Sequence, residues 1–215
     1  MAGAVLLHGI SRTARSMRAL ERAVRAAGYA ALNLDYPSRR RSLAAIAQGL
    51  RPAVAAFADG LDGPLHFVTH SMGGLVARAL LTGGRPERLG RVVMLAPPNG
   101  GSEIADLLGA NPLYRRWFGP AGAELGTRRD ADLTALLGRV DYELGVIAGG
   151  RTLYPLSSLL LPRPNDGRVS VAATRVDGMA DHLTLPVSHP MIVRDARAVG
   201  QALAFLRDGR FGRGT

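Results

Sequence analysis

The chain has 215 residues, of which 47% are hydrophobic, with no cysteine and a formal net charge of +10. This composition predicts a single globular domain over residues 1–215, with enough chain for a substantial core, and it excludes disulfide bonds and thiolate chemistry. All 27 basic residues are arginine, and because no nucleic-acid-binding motif accompanies them, scattered solvated arginines are favoured over an anionic or nucleic-acid partner.

From the N-terminus onward, short apolar runs that suit buried strands alternate with stretches of helical periodicity. Helices are predicted after residue 16, from Ser42, after Ser71 and from Pro190. Strands that alternate with helices at this spacing form βαβ units, which produce a parallel sheet covered by helices on both faces. Six strands are predicted, at residues 4–7, 29–35, 65–69, 91–96, 142–148 and 182–187.

The alternation lapses between residues 102 and 139, where we expect a small lid-like or cap-like insert. Short helices are predicted at 103–108 and 131–137, and the segment between them carries the only tryptophan, Trp117. Because the insert follows the fourth strand, it should lie above the carboxyl edge of the sheet, where functional loops gather. Trp117 and Phe118 either contribute to a substrate pocket or anchor a helix to the core, and the sequence leaves both readings open.

The residues Thr69-His70-Ser71-Met72-Gly73 form a candidate catalytic turn between the third strand and the next helix. A serine at the tip of such a turn presents its hydroxyl above the carboxyl edge of the sheet. The Met72 N–H, at the start of the helix, is free to donate to a developing oxyanion. The motif departs from G-x-S-x-G because Thr69 replaces the first glycine, and a polar turn is the alternative reading of these residues alone.

The general base must be chosen among five histidines. In a parallel sheet, groups that meet Ser71 must follow strands rather than precede them. His189 follows the sixth strand, whereas His182 begins that strand and should lie roughly 15 to 20 Å from the active edge. We therefore predict that His189 is the general base. The other three histidines lie inside a strand, directly before Ser71 or in the first loop, namely His66, His70 and His8.

The acid of the site should follow the fifth strand. Asp166 fits this position because an Asn-Asp-Gly turn can present its carboxylate to an imidazole N–H. Asp177 and Asp181 are alternatives in the same connection.

Along the chain the three residues occur in the order Ser71, Asp166, His189, which is the order of one fold. In these residues the chain resembles the α/β-hydrolases, specifically their compact bacterial lipase and esterase branch. The resemblance implies a minimal α/β-hydrolase fold of about six strands, with the N–H groups of Ile10 and Met72 as an oxyanion hole. It also implies ester hydrolysis through an acyl-enzyme on Ser71, which needs no metal or cofactor. The matching segments are Leu6-Leu7-His8-Gly9-Ile10, Thr69 to Gly74, Leu95 to Asn99, Asn165-Asp166-Gly167 and Ser188-His189.

Two apolar segments would form walls for an acyl chain, so the expected partner is a small acyl ester or a lipid. These walls are Leu113, Trp117 and Phe118 on one side, and Leu159 to Leu161, centred on Leu160, on the other. A thioesterase, an amidase, an acyltransferase and, less favoured, a non-catalytic binding module are the alternatives. The sequence shows no signal peptide and no apolar run long enough for membrane insertion, so a cytoplasmic location is expected.

Overall fold

The computed structural model describes residues 1–153, 158 and 160–212. A parallel sheet of six strands, in the order β2-β1-β3-β4-β5-β6, lies at its centre, which confirms the predicted architecture. The strand ends differ slightly from the prediction: β4 begins at Leu89 and β6 ends at Leu185. The strands are β1 (Gly3–Leu7), β2 (Ala30–Leu34), β3 (Leu65–His70), β4 (Leu89–Leu95), β5 (Leu144–Gly149) and β6 (Asp181–Leu185).

Helices lie on both faces of the sheet. Ser42 caps α2 as expected, because its side chain accepts a hydrogen bond from the Ala45 N–H. Two helices of the insert have the predicted bounds, Glu103–Leu108 and Ala131–Leu137. Among the described residues, no helix is long and apolar enough to cross a membrane. The helices are α1 (Arg18–Ala26), α2 (Leu43–Asp59), α3 (Met72–Gly83), α4 (Glu103–Leu108), α5 (Pro112–Ala123), α6 (Ala131–Leu137) and α7 (Ala196–Asp208).

The sheet separates two hydrophobic cores because successive strand residues point to opposite faces. In β1, Val5 and Leu7 pack with α2, α3 and α6 on one face. Ala4 and Leu6 pack with α1 and α7 on the other. The central strands are therefore buried on both sides, which explains why they read as continuous apolar runs.

The last helix begins later than predicted. The sequence places its start at Pro190, but α7 begins at Ala196, after Asp195 caps it by accepting hydrogen bonds from the N–H groups of Arg197 and Ala198. The residues before this cap form turns, in which the N–H groups of Met191 and Ile192 donate to the Ser188 carbonyl. The turn after β6 is thus separate from the helix that follows it.

The sheet order creates a switch point between β1 and β3. The chain moves outward from β1 to β2 and then returns to add β3 on the opposite side of β1. At such a point the connections leave in opposite directions, which opens a crevice at the carboxyl ends of the two strands. His8 follows β1 and Ser71 follows β3, so both lie at this crevice.

Candidate active site

Ser71 lies between β3 and α3 in a strained backbone conformation, with φ 54° and ψ −128°. A left-handed conformation costs a residue other than glycine about 1 to 3 kcal/mol and persists only where its surroundings enforce it. Here the Ser71 N–H donates to the Leu95 carbonyl at 2.8 Å, and the Ser71 carbonyl accepts from the Gly74 N–H at 2.9 Å. The turn therefore holds the serine at the carboxyl edge.

Gly73 allows α3 to approach the end of β1. A Cβ atom at this position would lie 2.4 Å from the Leu7 carbonyl oxygen and 2.8 Å from that of His8. Backbone atoms cannot move aside as a flexible side chain can, so no larger residue fits here. The glycine that the G-x-S-x-G motif has two places after the serine is thus required by contact with β1.

A chain of hydrogen bonds joins the three residues that the sequence selects. The Oγ of Ser71 lies 3.0 Å from Nε2 of His189, and Nδ1 of His189 lies 2.7 Å from Oδ2 of Asp166. Ser71 is 7% exposed and Asp166 is fully buried. The structure thus brings together a hydroxyl, an imidazole and a carboxylate that follow three different strands.

The loop of Asp166 is held by its own side chains. Oδ1 of Asp166 accepts hydrogen bonds from the N–H groups of Arg168, at 2.9 Å, and Val169, at 2.8 Å. The buried side chain of Asn165 accepts from the Gly167 N–H at 3.0 Å. The His189 N–H also donates to the Asp166 carbonyl at 3.1 Å, so the loops that carry the acid and the imidazole are joined through their backbones.

The other acid and base candidates lie elsewhere. Asp177 is exposed. Asp181, at the start of β6, accepts from the Phe211 N–H at 2.9 Å and from the His182 N–H at 2.8 Å. His182 lies 2.9 Å from the Thr174 hydroxyl, and burial lowers its pKa to about 4. None of these three side chains joins the chain of hydrogen bonds at Ser71.

The segment after β1 packs directly behind Ser71. A Cβ atom on Gly9 would lie 3.0 Å from Cβ of Ser71, so Ile10 follows at the rim of the same site. Tyr36 supports this segment because its hydroxyl donates to the His8 carbonyl and its ring stacks on the His8 ring at 4.0 Å. Met72 is the first residue of α3, and its N–H has no acceptor within the helix.

His70 is a site residue that the sequence analysis set aside. Its Nε2 lies 3.1 Å from the His189 carbonyl oxygen. Because a carbonyl only accepts, Nε2 carries the proton, and the buried Nδ1 has no hydrogen-bond partner among the described residues. Burial, and secondly the charge of His189, hold the pKa of His70 well below its usual value. His70 is therefore neutral and anchors the loop of His189.

A cavity of about 410 Å³ opens above Ser71, between the Ile10 loop and the insert. Trp117 and Phe118 are among the residues that line it, and Trp117 is 61% exposed. The sequence did not single out several other apolar lining residues, namely Ile104, Leu108, Tyr114, Leu125 and Val169.

Three of the described wall residues that the sequence predicts do not line this cavity, namely Leu113, Leu160 and Leu161. Leu113 is 78% exposed, because α5 turns Tyr114 and Phe118 inward, with their rings 4.5 Å apart, and leaves Leu113 on the solvent side. Leu160 is 57% exposed, because its neighbour Leu161 takes the buried position. Leu159 lies outside the described residues.

A buried arginine ties the insert to the helix behind Ser71. Arg78 of α3 donates from Nε to the Leu137 carbonyl at 3.2 Å and from Nη2 to the Gly138 carbonyl at 2.8 Å, and Nη1 lies 3.4 Å from Oδ1 of Asn99. Burial lowers its pKa from the usual value. The end of α6 is thereby fixed against α3.

Within the described part of the chain, no three His, Cys, Asp or Glu side chains form a group that could hold a metal ion.

The sequence model of the Alpha/beta hydrolase family matches residues 4–211. No curated protein matches the chain by sequence. Among solved structures, the mature Bacillus licheniformis lipase BlEst2 has a TM-score of 0.78 at 18% identity, over 95% of this chain and 91% of that one.

Two further structures are similar at the same identity. The phospholipase PlaB from Legionella pneumophila has a TM-score of 0.70 at 18% identity, over 97% of this chain and 62% of its own. A metagenomic carboxyl esterase also has a TM-score of 0.70 at 18% identity, over 88% of this chain and 65% of its own. At such identities the likeness shows the fold.

Proposed function

Because the chain belongs to the α/β-hydrolase family, we propose that it is a serine hydrolase that cleaves carboxylic esters through an acyl-enzyme on Ser71. One observation carries the proposal: Ser71 Oγ is 3.0 Å from Nε2 of His189, and Nδ1 of that ring is 2.7 Å from a buried carboxylate. This order of nucleophile, base and orienting acid is what acyl transfer requires.

The buried carboxylate determines which ring nitrogen acts as the base. An ionised Asp166 only accepts hydrogen bonds, so Nδ1 of His189 carries the proton and Nε2 offers its lone pair to the Ser71 hydroxyl. His189 takes the hydroxyl proton as the oxygen attacks the acyl carbon. Asp166 then stabilises the imidazolium that forms.

The N–H groups of Met72 and Ile10 are proposed to stabilise the oxyanion of the tetrahedral intermediate. Met72 begins α3, where the helix dipole also favours negative charge. When the intermediate collapses, the bond to the alcohol oxygen breaks and the alcohol leaves with the proton from His189. Water, activated by the same imidazole, then releases the carboxylic acid and restores Ser71.

The proposed substrates are small acyl esters or lipids. Ile104, Phe118 and Leu125 give the cavity above Ser71 an apolar wall on the side of the insert. Each methylene buried there contributes about 0.8 kcal/mol, which favours an acyl chain of several carbons. The names of the similar structures, a lipase and a carboxyl esterase, agree with this class of substrate.

The nucleophile can be tested with Ser71→Ala. We expect p-nitrophenyl esters of graded chain length to be hydrolysed by the wild type, and turnover to fall by about three or more orders of magnitude in the variant. A fluorophosphonate probe should label the wild type and Ser102→Ala, which changes another serine of the cavity, but not Ser71→Ala. Labelling that survives in Ser71→Ala would place the nucleophile elsewhere.

The same assay separates the alternatives. Faster turnover of matched thioesters or amides would favour a thioesterase or an amidase, and transfer of the acyl group to an added alcohol would favour an acyltransferase. A folded wild type that neither turns over these substrates nor reacts with the probe would indicate a binding module.

A further inference from the structure

The cavity above Ser71 continues into a second, more polar groove. Both are lined by Ser11, Arg12 and Trp117, so they are contiguous at the mouth of the site. This second depression, called here the arginine groove, has a volume of about 690 Å³ and lies between the loops after β1 and β2. Its charged residues are Arg12, Asp35, Arg39 and Arg40.

The arginine groove carries an excess of positive charge. Three arginines line the groove with a single carboxylate, Asp35, whose Oδ1 accepts a hydrogen bond from the Ala14 N–H at 3.3 Å. In the adjoining cavity Arg168 adds a further cation, and no Asp or Glu is among its described lining residues.

The walls of the groove are packed rather than loose. The Ser11 N–H donates to the Ser38 hydroxyl at 3.1 Å and so joins the two loops. Gly119, at the break in α5, lies so close to the Arg39 carbonyl that a Cβ atom would overlap it, at 1.6 Å. The Arg39 guanidinium stacks over the Trp117 ring at 4.8 Å. Stacking on a ring leaves the N–H edge of a guanidinium able to bind an anion.

We propose that the substrates are acyl esters whose alcohol half carries an anionic group, a phosphate or a carboxylate, that binds in the arginine groove. This inference rests on the proposed ester hydrolysis at Ser71. The scissile carbonyl would lie where the cavity and the groove meet. The acyl chain would then occupy the apolar wall beside Phe118, because burying it among charged groups is unfavourable.

The anionic half would gain hydrogen bonds to Arg12 and its neighbours. Hydrogen bonds between ionised partners are about twice as strong as neutral ones. A preference of about tenfold in kcat/KM for an anionic ester over its neutral counterpart is therefore expected.

The test uses pairs of octanoyl esters in which one member carries the anionic group and its counterpart lacks the charge. One pair is 4-nitro-3-(octanoyloxy)benzoate and its methyl ester, both of which release a nitrophenol. A second pair is 1-octanoylglycerol 3-phosphate and 1-octanoylglycerol, which asks whether phosphate is preferred to carboxylate. For each pair the measured quantity is the ratio of kcat/KM for the anionic to that for the neutral member.

Arg12→Gln removes the cation that lines both the cavity and the groove, and we expect it to remove most of the preference of about tenfold. Arg12→Lys keeps the charge and should restore part of the preference. Arg22→Gln, on the exposed side of α1 and outside both cavities, makes the same change in net charge and should leave the ratio unchanged. In the wild type, raising the salt concentration from about 0.05 to about 1 M should also lower the ratio, since partly exposed charges are screened.

The outcomes separate the two proposals. If the wild type hydrolyses the neutral esters but shows no preference for either anionic member, the inference about the groove is wrong and the proposed function stands. The inference is also wrong if Arg12→Gln and Arg22→Gln lower the ratio equally. If no ester of either pair is hydrolysed, the proposed function itself fails.

Discussion

Asn in place of Asp166 should remove most turnover by holding the His189 ring in the wrong tautomer. Oδ1 of Asp166 accepts from the N–H groups of Arg168 and Val169, at 2.9 and 2.8 Å, so the oxygen of an Asn side chain must occupy that position. Its NH₂ group then faces Nδ1 of His189, where the carboxylate oxygen now lies at 2.7 Å. Nδ1 must accept this hydrogen bond, the ring proton moves to Nε2, and Nε2 can no longer take the proton of Ser71.

The expected loss in kcat/KM is roughly 10³- to 10⁴-fold, or about 4 to 5.5 kcal/mol of transition-state stabilisation. Its upper limit is the effect of the same substitution in chymotrypsin-like triads. The assay is steady-state hydrolysis of a p-nitrophenyl ester, with circular dichroism to establish that the variant is folded. Asp177→Asn, at an exposed position, is the matched control and should keep wild-type turnover.

The result that would refute this reasoning is a folded Asp166→Asn variant that keeps more than about a tenth of wild-type kcat/KM. The Asp166 carboxylate would then be a structural cap for its own loop rather than the group that orients His189. Asp181→Asn should act through stability, because Asp181 accepts from the Phe211 N–H and so secures the C-terminal segment. Loss of turnover in Asp181→Asn, at an unchanged melting temperature, would move the acid to Asp181.

Three further predictions concern the cavity, the insert and the response to pH. Trp117→Ala should raise KM for medium-chain esters and leave KM for acetate esters nearly unchanged, since Trp117 lines the cavity. Equal losses on the two classes of ester would mean that Trp117 acts through the stability of the fold. Arg78→Met should lower the free energy of unfolding in urea by about 1 to 3 kcal/mol, because loss of the guanidinium leaves the carbonyls of Leu137 and Gly138 without their donor. Arg85→Met, at an exposed ion pair, should cost about 1 kcal/mol or less. Burial lowers the pKa of His182 from 6.5 to about 4, so the unfolded chain binds the extra proton first and stability should fall as the pH drops from 6.5 towards 4. His182→Gln should make the urea midpoint less dependent on pH in this range, and an unchanged dependence would assign the loss to other groups.

The meeting of Ser71 and His189 could be anticipated from chain order, whereas Asp166 was favoured over Asp177 and Asp181 by its Asn-Asp-Gly turn. In a parallel sheet every strand ends at the same edge, so a residue that follows a strand is placed without any knowledge of side-chain packing. The sheet and its strands were predictable for a second reason: buried strands are continuous apolar runs between turns. The catalytic roles of the three residues stay predictions until the variants are measured.

Contacts between distant segments were not predictable. An arginine such as Arg78, within an apolar helix, is expected to be solvated, and its burial depends on carbonyls of Leu137 and Gly138 that lie 59 and 60 residues away. The role of His70 is hidden in the same way, since its partner is the backbone of His189, 119 residues further on. Neither partner leaves a local signal in the sequence.

The direction of side chains in the short segments of the insert also could not be predicted from the sequence. Leu113, Trp117 and Phe118 share one short helix, but that helix contains a non-helical residue, Gly119, with φ 63°. Its orientation follows from the packing of Gly119 on Arg39, which no periodicity encodes. The sequence therefore predicted that the segment is apolar, but it could not predict which of its residues faces the solvent.

Thr69 illustrates how a departure from a motif is accommodated elsewhere in the same turn. The first glycine of the motif allows the strand and the helix to approach each other closely, and Thr69 is fully buried where that glycine is expected. The space is provided from the helix side, because a Cβ atom on Gly74 would lie 3.4 Å from Oγ1 of Thr69 and 3.0 Å from both Sδ of Met94 and Cβ of Pro97. Gly73 serves the contact with β1 and Gly74 the contact with Thr69 and β4, so each of the two successive glycines has its own partner. Among the residues that the structure describes, the threonine hydroxyl has no hydrogen-bond partner, so the side chain serves the turn through packing.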